Sequence, residues 1–199
     1  MCAIAATELP VPPLCVTASE GPELIAQPAS LKRAALIVER IEIPQDTRAI
    51  IVAGFGDPGA AELARRLRCP VIGIGAASIR AASRDGVPFG IVTTTPDLER
   101  DLSSLVDHTL PHSQSGLFVG NFFAKGDPLG LMATETGLDD ALAEAIERAV
   151  EAGAQRVVIG GGPLGAAAER LRSRVRVPLI NPIRSAAREV VALLEQAHS

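Results

Sequence analysis

The chain contains no tryptophan and no tyrosine, and its only aromatic side chains are five phenylalanines. No phenol or indole is therefore on hand as proton donor, stacking surface or anchor. Lysine is scarce too: only Lys32 and Lys125 stand beside the arginines that make up the rest of the 19 basic residues. Positive charge as a whole is short. The net charge is −4, which disfavours a dedicated nucleic-acid binder. No stretch approaches the roughly 20 uninterrupted apolar residues of a membrane span, and the first ten residues lack the basic start and apolar run of a secretion signal. The three cysteines, Cys2, Cys15 and Cys69, are odd in number, without CxxC spacing or a neighbouring histidine. They are expected to form neither a disulfide framework nor a zinc site, and point to the cytoplasm.

What is present describes a globular chain. Its 199 residues are 47% hydrophobic and 21% charged, enough for one domain or two small, intimately packed halves. Strand-length apolar runs fall at 14–17, 49–53, 70–74, 89–93, 117–119, 156–159 and 177–180. Several are apolar at consecutive positions, as in strands covered on both faces. Amphipathic helical stretches lie between them, at 29–42, 57–67, 76–84, 96–108, 138–152, 163–172 and 183–197. Alternation of this kind predicts βαβ units, a parallel sheet and an α/β fold. The glycine-rich stretch 116–137, carrying Phe118, Phe122 and Phe123, is expected to form an exposed excursion or flap.

Two segments match at an offset of about 107 residues. Ile51-Val-Ala-Gly-Phe-Gly-Asp-Pro-Gly-Ala-Ala-Glu, followed by Pro70-Val-Ile, parallels Val158-Ile-Gly-Gly-Gly-Pro-Leu-Gly-Ala-Ala-Ala-Glu, followed by Pro178-Leu-Ile. A repeated strand, glycine turn, Ala-rich helix and strand predicts pseudo-symmetric halves whose glycine turns face one cleft. The halves are expected at 16–95 with 177–199, and at 96–176, after an arm of residues 1–15.

Ligands in open α/β sheets sit beyond the carboxyl ends of the strands. Gly54, Phe55, Gly56 and Asp57 on one turn, Gly161 and Gly162 on the other, and the strand end at Thr93 and Thr94 are the expected binding residues. Their backbone N–H groups and hydroxyls suit a small carboxylate. Asp57 reads either as an acid serving the start of its own helix or as a site carboxylate. Neither turn has G-x-G-x-x-G or GK[ST] spacing, and no metal-ligand spacing occurs, so no cofactor and no metal are expected.

These motifs together, with Pro70-Val-Ile-Gly-Ile-Gly-Ala-Ala and Phe89-Gly-Ile-Val-Thr-Thr, resemble the aspartate/glutamate/hydantoin racemase superfamily, most nearly its hydantoin racemase branch. The resemblance runs from about Val16 to Ala197. It implies two Rossmann-like βαβ halves around a shared cleft, and a thiol base after a strand of each half. The implied thiol positions are Gly54 and Gly161, so both catalytic cysteines are replaced and the catalytic residues are unknown. It also implies that the first βα unit is missing or replaced by a Pro-rich arm. The reading that follows is a family protein with a pocket for a small carboxylate or hydantoin-like molecule that does not perform two-thiol racemisation. A lyase, decarboxylase or one-base isomerase of the superfamily, and a non-enzymatic small-acid-binding protein, stand as alternatives. No nucleic-acid or membrane partner is expected, and a homo-oligomer, in the first instance a dimer, is. His108 and His112 read as helix-end residues, His198 as a tail residue and Lys125 as a loop charge, with a flap lysine closing on a carboxylate as its alternative; a cleft-facing Glu20 is the lesser of two readings of that loop residue.

Overall fold

The computed structural model describes residues 1–197; His198 lies outside the described residues. In chain order the elements are α1 (Cys2–Ala6), α2 (Pro28–Val38), β1 (Ile50–Val52), α3 (Ala60–Arg66), β2 (Val71–Gly73), α4 (Ile74–Ser83), β3 (Phe89–Thr93), α5 (Glu99–Thr109), β4 (Phe118–Phe123), α6 (Pro128–Leu131), α7 (Glu135–Glu151), β5 (Arg156–Ile159), α8 (Gly165–Leu171), β6 (Leu179–Ile180) and α9 (Pro182–Gln196). Every strand pairing is parallel. β1 and β2 form a two-stranded sheet, and the other four strands a sheet of order β4-β3-β5-β6. The expected half boundaries at 95/96 and 176/177 cut across this second sheet, which takes β3 and β6 from one side and β4 and β5 from the other.

Alternation along β3 and β5 sets the two faces of the larger sheet. Phe89, Ile91 and Val158 enter one apolar cluster with Ile79, Leu102, Ile183 and Ala187. Val92, Val157 and Ile159 enter another with Leu142, Ile146, Ala168 and Leu171. Side chains therefore point to opposite faces with period two, and each face is covered by helices, which is why these strands read as nearly continuous apolar runs.

The repeat is visible as structure. β1-α3-β2-α4 and β5-α8-β6-α9 follow one order, α3 and α8 have seven residues each, and the equivalent helices α4 and α9 pack on one another. Ala77 and Ala82 on α4 and Ala186 and Ala187 on α9 are all buried; side chains this small let the two backbones approach closely. The N-termini of these helices are equivalent too. The side chain of Asn181 caps α9, accepting from the N–H groups of Ile183 and Arg184.

Three expectations are corrected. Residues 14–17 form no strand: Leu14 and Val16 are exposed, with no neighbouring strand to pair. The stretch 116–137 is not a free flap. It supplies β4, and Phe118, Phe122 and Phe123 are half-buried, with Phe118 tilted against Phe89 at 5.6 Å between ring centroids. Phe122 sits where a side chain on Gly90 would be, 3.1 Å from the position of its Cβ. Finally, Cys2 and Cys15 are joined in a disulfide, and Cys69 alone is free. The arm folds back so that its two ends meet, a proximity that residue spacing alone does not reveal, and the argument for a reducing compartment loses its premise. The arm is fastened further by Ala5 and Ile4 in the core and by Glu8, which pairs with Arg184 and Arg188. No helix among the described residues is long and apolar enough to cross a membrane.

Candidate functional site

The carboxyl ends of β1, β3 and β5 meet. The N–H of Gly160 donates to the carbonyl of Val92 at 2.7 Å, which carries the β3–β5 register one step further and sets Thr93 beside Gly160. A Cβ on Gly160 would stand 2.8 Å from Cε1 of Phe55, and one on Gly162 2.5 Å from the carbonyl oxygen of Ala53. The two glycine turns of the repeat thus face one another across the end of β3, and glycine is what allows each approach.

The polar lining here is hydroxyl and amide. Thr93, Thr94 and Thr95 are all buried. The hydroxyls of Thr93 and Thr95 lie 3.3 Å apart, whereas that of Thr94 forms no hydrogen bond among the described residues. The arm reaches the same place: Sδ of Met1 lies 2.7 Å from the Cβ position of Gly162, and Cδ1 of Ile4 lies 3.1 Å from that of Gly165.

Not every expected residue faces this junction. Gly56 has φ +106° and abuts Leu31 of α2, so its place is set by the turn. The Cβ position of Gly54 is filled by the ring of Pro58, at 2.8 Å, and that of Gly161 by Leu164, at 2.9 Å. α3 and α8 begin at Ala60 and Gly165, later than expected and only two turns long. Two short helices offer weak dipoles, so the polar character rests on hydroxyls and single amides.

Asp57 turns away from its own helix. It has φ +53°, a left-handed conformation that costs a non-glycine residue of the order of 1–3 kcal/mol. Its carboxylate is thereby carried to the N-terminus of α4, where Oδ1 accepts from Gly75 N and Oδ2 from Ala76 N, both at 2.7 Å. Two short hydrogen bonds to a charged acceptor, each worth about 1.5–3 kcal/mol, offset the backbone strain. Asp57 therefore does for α4 what Asn181 does for α9, at equivalent positions of the repeat. Where the second half has Asn181 the first has Gly73, and a Cβ there would overlap the Asp57 carboxylate. Burial pushes the Asp57 carboxyl up to about 6 despite these bonds and the nearby Arg80. The alternatives left open by the sequence resolve into a third, the capping of the following helix. The signal was the mismatch of Gly73 with Asn181 after Pro70-Val-Ile and Pro178-Leu-Ile.

Other candidates lie elsewhere. Nδ1 of His108 meets the carbonyl of Ser104 at 2.6 Å on the exposed side of α5. His112 and Lys125 are exposed. Glu20 lines a surface hollow of about 400 Å³ with Arg33 and Arg40. Among the described residues no group of histidine, cysteine, aspartate or glutamate has metal-binding geometry.

A family model described as Asp/Glu/Hydantoin racemase matches residues 2–190. A hydantoin racemase of Paenarthrobacter aurescens is 31% identical over 161 residues, 79% of this chain and 66% of that protein, just under two thirds of its length. An allantoin racemase from Klebsiella pneumoniae superposes with a TM-score of 0.84 at 26% identity, covering 97% of this chain and 80% of that one. An allantoin racemase from Pseudomonas fluorescens gives 0.80 at 22% identity, over 98% and 84%, a likeness of fold.

Two outcomes follow for Asp57. Gly73→Ala destabilises the protein by about 2 kcal/mol or more, as expected when a well-packed site is overfilled, whereas Gly116→Ala, whose Cβ meets nothing within 4 Å, is neutral. Asp57→Ala relieves part of the Gly73→Ala penalty, so denaturant titrations of the cycle show coupling rather than additivity. The second outcome concerns pH. The folded state holds the Asp57 proton up to about 6, against 3.8 for the free group. Its contribution to stability is present in full below the unfolded value and fades as pH rises through about 6. Glu8, held by Arg188 and Arg184, and Glu169, where burial is outweighed by hydrogen bonds from Arg184 and Asn181, are shifted the other way, and their contribution is lost only as pH falls below the ordinary glutamate range. Denaturant midpoints taken from pH 4 to 7 therefore fall with pH more steeply in the parent than in Asp57→Asn; parallel profiles count against the assignment.

Proposed function

This chain belongs to the Asp/Glu/hydantoin racemase family, and on that premise we propose that its strand-end site binds a small hydantoin-like ring without catalysing two-thiol racemisation. The observation that carries the reading is where the cysteines are. Cys2 and Cys15 are tied to each other, and Cys69 precedes Pro70 at the amino end of β2, the wrong end of the sheet. A general base must come within hydrogen-bond reach of the proton it removes, and no thiol of this chain stands at the carboxyl ends of β1 and β5.

The choice of a ring over a dicarboxylic amino acid rests on the lining. The site offers the free hydroxyl of Thr94, the pair Thr93 and Thr95, and backbone amides of the two glycine turns, with the ring of Phe55 alongside. None of these residues is cationic. A neutral ring with alternating N–H and C=O groups matches hydroxyls and amides, whereas an acid with two carboxylates leaves charge uncompensated. The names of the two relatives at 26% and 31% identity, allantoin racemase and hydantoin racemase, agree with a cyclic ureide.

Calorimetric titration with hydantoin, allantoin, aspartate and glutamate tests the reading. The ring compounds bind and the acids do not. Thr94→Val, which keeps the side-chain shape and removes the hydroxyl, weakens binding by roughly tenfold, the worth of one hydrogen bond. Exchange of the ring α-proton for deuterium, followed by NMR, is no faster with protein than without. Exchange that is accelerated and then abolished by thiol alkylation overturns the proposal.

The assembly proposed is a homo-oligomer. With the phenylalanines of β4 half-buried, the exposed apolar side chains available for it include Leu14, Val16 and Leu36. Light scattering is expected to give a mass above 20.6 kDa that falls towards the monomer in Leu14→Asp/Leu36→Asp.

A further inference from the structure

A groove of about 570 Å³ runs beside β6 and between the exposed sides of α4 and α9. It is separate from the junction of glycine turns. One end is formed by Arg84, Asp85 and Arg156, which stand at the amino ends of β3 and β5. Six arginines line it: Arg80, Arg84, Arg156, Arg172, Arg184 and Arg188.

Four of the six are engaged. Arg80 holds Glu189 through two hydrogen bonds, and Arg156 holds Asp85 and the carbonyls that end α4. Arg184 bridges Glu169 and Glu8, and Arg188 also holds Glu8. Arg172 has only a distant share of Glu169, at 3.6 Å. The side chain of Arg84 forms no ion pair or hydrogen bond among the described residues. Six guanidinium groups thus face four carboxylates, which leaves an excess of two positive charges in one concavity of a chain whose net charge is −4.

We propose that this groove is a binding site for a small phosphate-bearing molecule carrying two or more negative charges. Guanidinium forks match tetrahedral phosphate oxygens in pairs, and the paired arginines hold the walls in place for Arg84 and Arg172 to close on the ligand. The groove volume is that of a small-molecule site. Its apolar floor is aliphatic, formed by Ala77, Ala81, Leu179, Ile180 and Ala192, and no phenylalanine lines it. A ligand recognised by base stacking is therefore not the occupant; an inorganic diphosphate or the phosphate ester of an aliphatic molecule is.

The experiment is calorimetric titration of the full chain with pyrophosphate, with a sugar monophosphate and with single-stranded DNA, at low and high salt. Both the parent and Arg84→Ala/Arg172→Ala are titrated, and hydantoin is titrated into each. Binding of pyrophosphate alone assigns the inorganic source; binding of the sugar phosphate as well assigns the ester. In either case affinity falls at least about tenfold in the double variant and falls with salt, while circular dichroism and the hydantoin titration stay as in the parent. Because hydantoin is read separately, failure at one site leaves the other standing. Undiminished phosphate binding in the double variant, no phosphate binding by the parent, or DNA binding as tight as that of pyrophosphate overturns the proposal.

Discussion

The geometry of the first half hangs on one carboxylate. Asp57 sits in a turn, takes a left-handed backbone conformation, and closes the N-terminus of α4 with both oxygens. Three features of the sequence exist together for that contact. Gly73 leaves the space the carboxylate occupies, Gly75 presents its N–H with Cβ room already taken by Leu105 and Asp57, and Gly56 gives the turn the positive φ it needs. Remove the carboxylate and α4 loses the partners of two N–H groups at a buried helix start. The consequence reaches the other half, because α4 packs on α9 and on the larger sheet.

The pseudo-symmetric partner shows the same need met differently. In the second half the residue just before α9, Asn181, is its own cap, and its amide nitrogen also ties to Glu169 and to the carbonyl of Gly165. Glu169 in turn holds Arg184, which holds Glu8 of the arm. These ion pairs are partly buried, and the cost of desolvating them offsets much of their attraction, so this chain of contacts is not what stabilises the fold. Its effect is positional. It fixes the arm across Gly162 and Gly165, while the weight of stability lies in apolar burial between α4, α9 and the sheet.

How far the sequence foretold this depends on the range of each interaction. Strands and helices with their own apolar period were legible: 89–93 and 156–159 became β3 and β5 with their bounds unchanged. The run 14–17 failed because a β-branched apolar segment is a strand only if another strand reaches it. The stretch 116–137 was misread because its glycines suggested freedom, and only the fold reveals that Gly90 and Phe122 need each other. The Cys2–Cys15 bridge follows no framework spacing, so nothing local announced it. Of the candidate site, the repeat pointed to two facing glycine turns, which the approach of Gly160 to Phe55 and of Gly162 to Ala53 shows, and Thr93 and Thr94 were read from the strand end. The partner of Asp57 left only an indirect trace, the glycine at 73 where the repeat has Asn181, because a carboxylate that caps a helix 18 residues onward has no periodic pattern of its own.

Family membership rests on the chain as a whole, whereas the proposed absence of two-thiol chemistry rests on Gly54 and Gly161. The fold has the pseudo-symmetry on which a two-sided proton transfer would be built, but function lives in the groups placed on a fold. At both positions the space that a side chain would take is already filled from the same turn, by the ring of Pro58 and by the side chain of Leu164. A residue larger than glycine at position 54 must displace a proline ring, and at position 161 must push aside a buried leucine. Glycine is therefore a packing requirement of these turns as they stand, independent of any demand of catalysis. The polar atoms left at the strand ends are hydroxyls and amides. Such groups orient a ligand through hydrogen bonds, and a neutral hydroxyl is itself a poor base, so this lining fits the proposed holding of a ligand better than the removal of its proton.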